Sequence, residues 1–194
     1  MINYPGNIKK TNTVKINNYG NRGMTLESDL NDTNNYYLEK DIAVIYKKPT
    51  PIQVIETNYE KITKAYFKQP STTDYNGIYK GYYIDFEAKE TTSKTSFPLS
   101  NIHNHQIIHL KKIIEHGGIG FLIVRFTRLD KTYLLFAEDL LDFLDKTKKK
   151  SIPLSYFLEK GFEIEFKLNP RIDYLSIVKK EKNLWMIKDL KKQN

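Results

Sequence analysis

Apolar positions along this chain recur with two different periods, and the switches between them mark out the elements. Leu26, Leu30, Tyr37 and Leu38 fall at roughly helical spacing behind Thr25, a side chain suited to capping the first turn, so residues 25–40 are expected to be a helix. Residues 43–46 and 51–56 read as strands on either side of a basic loop stiffened by Pro49 and Pro51, whereas residues 57–69 are polar and basic with no clear period. From Ser71 to Glu90 the pattern is alternating. Asn76-Gly77 and Lys80-Gly81 are turn-forming dipeptides between runs rich in Thr, Tyr, Ile and Phe, which predicts a β-hairpin.

Further on, Ile107, Leu110, Ile113 and Ile114 make one face of a helix that Ser100 or Asn101 would cap and Gly117-Gly118 would end. Residues 120–126 and 132–137 read as strands around an Asp130-Lys131 turn, and the first is nearly all apolar, as a central strand should be. A short amphipathic helix is expected over 138–146, another helical piece over 153–159, and strands over 163–167 and 172–178. Trp185, Met186, Ile187 and Leu190 suggest a small docking helix at the end. The expectation is one α/β domain over residues 21–194, preceded at residues 1–20 by a mildly basic arm without apolar periodicity.

Composition narrows the partners. Lys plus Arg outnumber Asp plus Glu by 31 to 23, a net charge of +8, and 14 tyrosines accompany that excess, which suits a polyanion. The absence of cysteine excludes disulfides and thiolate zinc sites. No apolar run approaches the roughly 20 residues of a membrane span, and no signal-peptide core follows Met1, so no membrane partner and a cytoplasmic location are expected. Lysines interleaved with aromatics at Lys61, Lys64, Tyr66 and Lys68 fit phosphate contact combined with base stacking, although Tyr66 and Phe67 would equally anchor the segment on a core. Lys9, Lys10 and Lys15 in the arm and Lys148 to Lys150 further on read as solvated charge or as added contacts to a nucleic-acid backbone.

The hairpin carries the candidate chemistry. Side chains alternate along a strand, so Ile84, Phe86 and Ala88 point one way and Asp85, Glu87 and Lys89 the other, while Thr72 and Asp74 share a face on the first strand. Two carboxylates from adjacent strands can converge on a hard cation such as Mg²⁺, which prefers oxygen ligands and keeps several waters. A lysine two residues beyond the second carboxylate projects from the same face, where it can hold an attacking water or stabilise charge on a phosphate in transition. The same residues would also make a solvated hairpin face with a cross-strand ion pair. Asp74 followed by Glu87-x-Lys89 resembles the active centre of the PD-(D/E)xK nuclease superfamily. Glu27, at the head of the first helix, is a supporting candidate or simply a first-turn acid favoured by the helix dipole.

Longer motifs make the resemblance specific. Asn21-Arg-Gly-Met-Thr-Leu-Glu27, Tyr46-Lys-Lys-Pro-Thr-Pro-Ile-Gln53, Ala65-Tyr-Phe-Lys-Gln-Pro-Ser-Thr-Thr-Asp-Tyr-Asn-Gly77, Ile84-Asp-Phe-Glu-Ala-Lys-Glu-Thr91, Ser96-Phe-Pro-Leu99, His105-Gln106 and Asn169-Pro-Arg-Ile-Asp-Tyr174 resemble the RecU family of Holliday-junction resolvases, in order, from about residue 21 to 177. The resemblance implies a restriction-endonuclease-like mixed β-sheet flanked by helices, with a protruding stalk that maps onto about residues 57–70. This sequence is a few residues shorter there and carries no arginine in the stalk. It further implies a homodimer that introduces symmetric nicks in four-way junction DNA during recombination and repair. The metal would be Mg²⁺, with Mn²⁺ able to stand in, and a recombinase or branch-migration helicase would be a further partner. By matching positions, Thr72, Asp74, Glu87 and Gln106 would surround the metal and Lys89 would stabilise the transition state.

Two other readings stay open at this level. A duplex-cutting nuclease of the same superfamily would cut linear DNA as well as a junction, and an accessory protein would bind branched DNA without cutting it. The histidines at 103, 105, 109 and 116 raise a different possibility, because His105 and His109 stand one helical turn apart and could share zinc with a carboxylate.

Overall fold

The structure is a computed structural model that describes residues 25–68 and 72–181. The basic arm at residues 1–20 and the docking helix expected around Trp185 to Leu190 lie outside those residues.

Helix α1 (Leu26–Glu39) opens where the sequence places it, with the Thr25 hydroxyl accepting from the Ser28 amide. Strands β1 (Val44–Lys47), β4 (Tyr75–Tyr79), β5 (Tyr82–Thr91), β7 (Ile119–Phe126), β8 (Lys131–Phe136) and β10 (Phe162–Ile164) form one six-stranded sheet in the order β1-β4-β5-β7-β8-β10. Only β5 and β7 run parallel; every other pairing in this sheet is antiparallel. A parallel pair needs a crossover, which the chain supplies as α2 (Asn104–Glu115). The expected mixed α/β sheet flanked by helices is therefore what forms.

Both faces of the central strands are covered. Ile84, Phe86, Phe121 and Ile123 pack with Leu30 and Tyr37 of α1 and with Tyr174 on one side. Leu122, Val124 and Leu135 pack with Leu110 of α2, Leu140 of α3 (Ala137–Lys146) and Phe157 of α4 (Leu154–Lys160) on the other. Phe86 stands between Tyr75 and Phe121 with ring centroids 4.8 Å away on each side.

Several expectations change in detail. Lys80 (φ 48°) and Gly81 (φ 83°) make the two-residue turn between β4 and β5, but Asn76-Gly77 sits inside β4 rather than in a turn. Gly77 is there because β1 comes too close for any side chain: a Cβ would lie 2.0 Å from the Val44 carbonyl oxygen. Helix α2 is capped by His103 rather than Ser100 or Asn101, since Leu99–Asn101 first form a single 3₁₀ turn that buries Ile102. A small second sheet of β6 (Ser96–Pro98) and β9 (Ser151–Pro153) carries no period long enough to be read beforehand. The strand expected at 172–178 is instead the start of α5 (residues 174–181). Tyr174, Leu175 and Val178 are its buried positions, a helical spacing that β-branched composition had disguised.

Strands β2 (Ile52–Asn58) and β3 (Lys61–Phe67) form a third sheet of two strands alone. Every residue of both is exposed. The ribbon thus begins at Ile52, five residues before the stalk expected from about residue 57, because the run read as a separate strand is the ribbon's first leg.

Candidate active site

Strand β5 is the axis of the site. The face with Asp85, Glu87 and Lys89 is not a solvated hairpin surface: Asp85 and Glu87 are fully buried because α2 packs over that side of the sheet. Asp74 lies just before β4 rather than within it, and its Oδ2 accepts from the Ala88 amide at 3.1 Å. That bond turns the Asp74 carboxylate towards Glu87. Lys89 Nζ stands 2.6 Å from Glu87 Oε1 as an ion pair, yet neither Glu87 oxygen has a hydrogen-bond partner of good geometry among the described residues.

The electrostatics follow from this crowding. Burial, first, and the neighbouring Asp74 charge, second, raise the Glu87 carboxyl from 4.5 to about 7, against the opposing pull of Lys89. A buried carboxylate whose close cationic partner is Lys89 alone among the described residues, and which shares its site with a second carboxylate, fits a divalent cation, which would offset both the burial and the repulsion. Among the described residues no three His, Asp or Glu side chains cluster as a ready-made cage. Two carboxylates plus waters is the usual arrangement for Mg²⁺.

The flanking groups are supplied by neighbouring elements. The α1 N-terminus is held to β5 by Leu26 N donating to Glu90 Oε1 at 2.8 Å. Asp29 of the same helix meets Arg125 of β7 at 2.7 Å. A cavity of about 450 Å³ opens beside the first residues of α1, with Glu27, Asp74, Lys89 and Glu90 in its wall. Glu27 reaches that cavity but is paired with Lys47.

The other predicted residues divide. Thr72 is near Asp74 in sequence, and its hydroxyl accepts from Lys48 Nζ at 3.1 Å. Gln106 is buried at the first turn of α2, where Oε1 accepts from the His103 amide at 2.9 Å as part of a capping box. Lys61, Lys64, Tyr66 and Lys68 lie along the exposed ribbon, away from the buried carboxylates, with Lys64 and Glu56 paired across it at 3.7 Å. His105 and His109 do not act as the zinc pair their spacing suggested: His109 Nε2 meets Asp85 at 3.1 Å, and His105 stacks on His103 with centroids 5.4 Å apart.

One cluster was not anticipated. The buried Asp85 carboxylate gathers Lys48, Thr73, Tyr83 and His109 around it. Asp85 could be placed on the Glu87 face by alternation, but apart from Tyr83 on its own strand its partners come from three separate segments that share no motif.

Comparison with known proteins decides the family. Residues 21–180 match the profile of RecU, described as recombination protein U. The chain belongs to this family. Proteins named Holliday junction resolvase RecU are similar over nearly the whole length. That of Geobacillus sp. (strain WCH70) is 52% identical, covering 93% of this chain and 97% of its own. That of Pediococcus pentosaceus is 50% identical, covering 92% and 96%. The Staphylococcus aureus (strain JH9) relative is 51% identical, covering 89% and 86%. Among solved structures, the Archaeoglobus fulgidus Holliday junction resolvase Hjc aligns with 66% of this chain and 90% of its own at 13% identity and a TM-score of 0.40, too slight a likeness to argue from.

Proposed function

We propose that this RecU-family chain is itself a Holliday junction resolvase, an endonuclease that nicks four-way DNA junctions symmetrically in recombination and repair. The observation that carries this reading is the buried Glu87 beside the half-buried Asp74, with Lys89 next to them, in a chain about half identical to proteins of that name over nearly their full length.

Asp74 and Glu87 would hold Mg²⁺, or Mn²⁺ in its place, with Thr72 and Gln106 completing or orienting its shell. When bound, the ion supplies Lewis acidity to the scissile phosphate and a water of lowered pKa. Lys89, only about a quarter exposed, is placed to steady the attacking water or the charge that develops on phosphate oxygens. Phosphoryl transfer asks little covalent work of the protein, so the buried, rigid setting of β5 is the main contribution. The ribbon bearing Lys61, Lys64, Tyr66 and Lys68 is the stalk, which meets DNA through charge and stacking. A two-fold homodimer would present two such sites to opposing strands of the junction. Cytoplasmic action fits this reading; among the described residues, no helix is long and apolar enough to cross a membrane.

The test is to incubate the protein with a labelled mobile four-way junction and with a matching linear duplex, with and without Mg²⁺. Paired symmetric nicks in the junction alone, requiring Mg²⁺, are expected. Cutting of both substrates would replace the reading with a duplex-cutting nuclease, and binding without cutting would leave an accessory role.

A further inference from the structure

Lys48 occupies an unusual place. Its backbone amide donates to the Asp74 carbonyl at 2.7 Å, so the residue is already paired with the segment that carries the catalytic aspartate. Its side chain then folds back across that segment. Nζ donates to Thr73 Oγ1 at 2.6 Å, to Asp85 Oδ2 at 2.7 Å and to Thr72 Oγ1 at 3.1 Å. An ammonium has three protons, and all three are spent. No donor remains for a DNA phosphate, so Lys48 is not a backbone-binding lysine of the usual kind.

The acceptor side is equally complete. Asp85, with no solvent exposure, takes Lys48, the Tyr83 hydroxyl at 3.0 Å and His109 Nε2 at 3.1 Å on Oδ2, and the Thr73 hydroxyl on Oδ1. His109 Nε2 donates to Asp85 in the tautomer that carries its proton there, and the same nitrogen lies 3.5 Å from Lys48 Nζ. A buried charge is tolerated when it is paired and fully hydrogen-bonded, and Asp85 is. The cluster therefore joins three things: the leg leading into the ribbon through Lys48, the leg returning from it through Thr72 and Thr73, and α2 through His109. All are fastened to β5 two residues from Glu87 on the same face.

We propose that Lys48 is a positioning residue for the cleavage reaction. By tying both legs of the ribbon to Asp85, it sets Asp74 and Thr72 at working distance from Glu87. The inference rests on the resolvase reading for its substrate but not for its geometry. A carboxylate displaced by about 1 Å costs on the order of 10²-fold in rate. Groups that orient ligands in this way are worth roughly 10- to 100-fold in metal affinity.

The experiment compares the full-length protein with Lys48→Met, and with the gentler pair Thr73→Val and Thr73→Ser in case Lys48→Met does not fold. Three quantities are read: single-turnover cleavage of a saturating four-way junction in Mg²⁺, junction binding in Ca²⁺, and Mn²⁺ affinity by calorimetry without DNA. Lys48→Met and Thr73→Val are expected to cut about 10²-fold more slowly and to bind Mn²⁺ about tenfold or more weakly, with junction affinity unchanged. Thr73→Ser, which keeps the hydroxyl, should behave as the parent. Parental cleavage and Mn²⁺ affinity in Thr73→Val would overturn the proposal. So would a loss of junction binding in step with cleavage, because that would make Lys48 a DNA contact. If the parent leaves the junction uncut, the resolvase reading fails, and the Mn²⁺ measurement still decides the positioning role.

Discussion

Two antiparallel pairs stand a few residues apart in this chain and have opposite characters. In the β4–β5 hairpin, Tyr75, Ile84, Asp85, Phe86 and Glu87 are all buried, and the neighbours β1 and β7 leave neither strand as an edge. In the β2–β3 ribbon no residue is buried, and Tyr59 at the tip is 99% exposed. Isolated two-stranded ribbons are marginal in water, and this one displays Ile52, Ile55, Ile62, Tyr66 and Phe67 to solvent. The first pair is held by its surroundings so firmly that it can keep the Glu87 carboxyl in an unfavourable place. The second has surface to offer and little of its own to hold it. On the proposed reading, chemistry belongs to the rigid pair and recognition to the exposed one.

The comparison can be broken most forcefully at its chemical end. Asp74→Ala should lower junction cleavage by about 10³-fold or more while junction binding persists, as quantitative nicking and gel-shift assays would show. Normal cleavage by that variant would remove Asp74 from the site.

A matched pair of aromatic truncations probes support rather than chemistry. Phe86→Ala, emptying the stack between Tyr75 and Phe121, should cost about 3–5 kcal/mol in urea denaturation. Phe67→Ala, on the ribbon and 75% exposed, should change stability by no more than about 0.5 kcal/mol. Equal losses would mean that the ribbon is part of the core.

The strain carried by β5 has a pH signature. In the unfolded chain Glu87 ionises near 4.5, whereas in the fold it keeps its proton up to about 7. Its contribution to stability is therefore full below pH 4.5 and is lost as pH rises towards 7. Glu87→Gln cannot ionise, so in EDTA it should exceed the parent by up to about 3 kcal/mol at pH 8 and show little gain at pH 4. Thermal melts at the two pH values check this, and an equal gap at both would refute the burial argument. Added Mg²⁺ should raise the melting temperature of the parent and leave Glu87→Gln unmoved.

The smallest effects belong to the ribbon. Tyr66→Ala should weaken junction binding by about 1–3 kcal/mol if a base stacks on it. Lys64→Ala should reduce the slope of log affinity against log salt by about 0.9, the loss of one phosphate contact. An unchanged slope would leave Lys64 as no more than the partner of Glu56.

Much of the sheet was legible in advance because its signals are local. The nearly continuous apolar run of β7, the Thr25 cap and the Lys80-Gly81 turn each act within a few residues. The misreadings have different causes. Gly77 looked like a turn because its close approach to Val44 lies more than thirty residues away in sequence, and α5 looked like a strand because its β-branched residues disguised a helical spacing. Asp74, Glu87 and Lys89 were identifiable by alternation and motif, but the burial of Glu87 was not, since it depends on α2 packing across β5.

The sequence alone determined the strands of the six-stranded sheet, the candidate residues and the face of β5 on which Glu87 and Lys89 stand, because periodicity and motif spacing are properties of neighbours along the chain. Tertiary structure alone decided that this face is buried and that Lys48, Thr73 and His109 meet at Asp85. It also decided that the ribbon stands apart from the sheet. Burial and long-range pairing arise only when distant segments close on one another, and those are the effects that turn an ordinary glutamate into one whose carboxyl is raised to about 7.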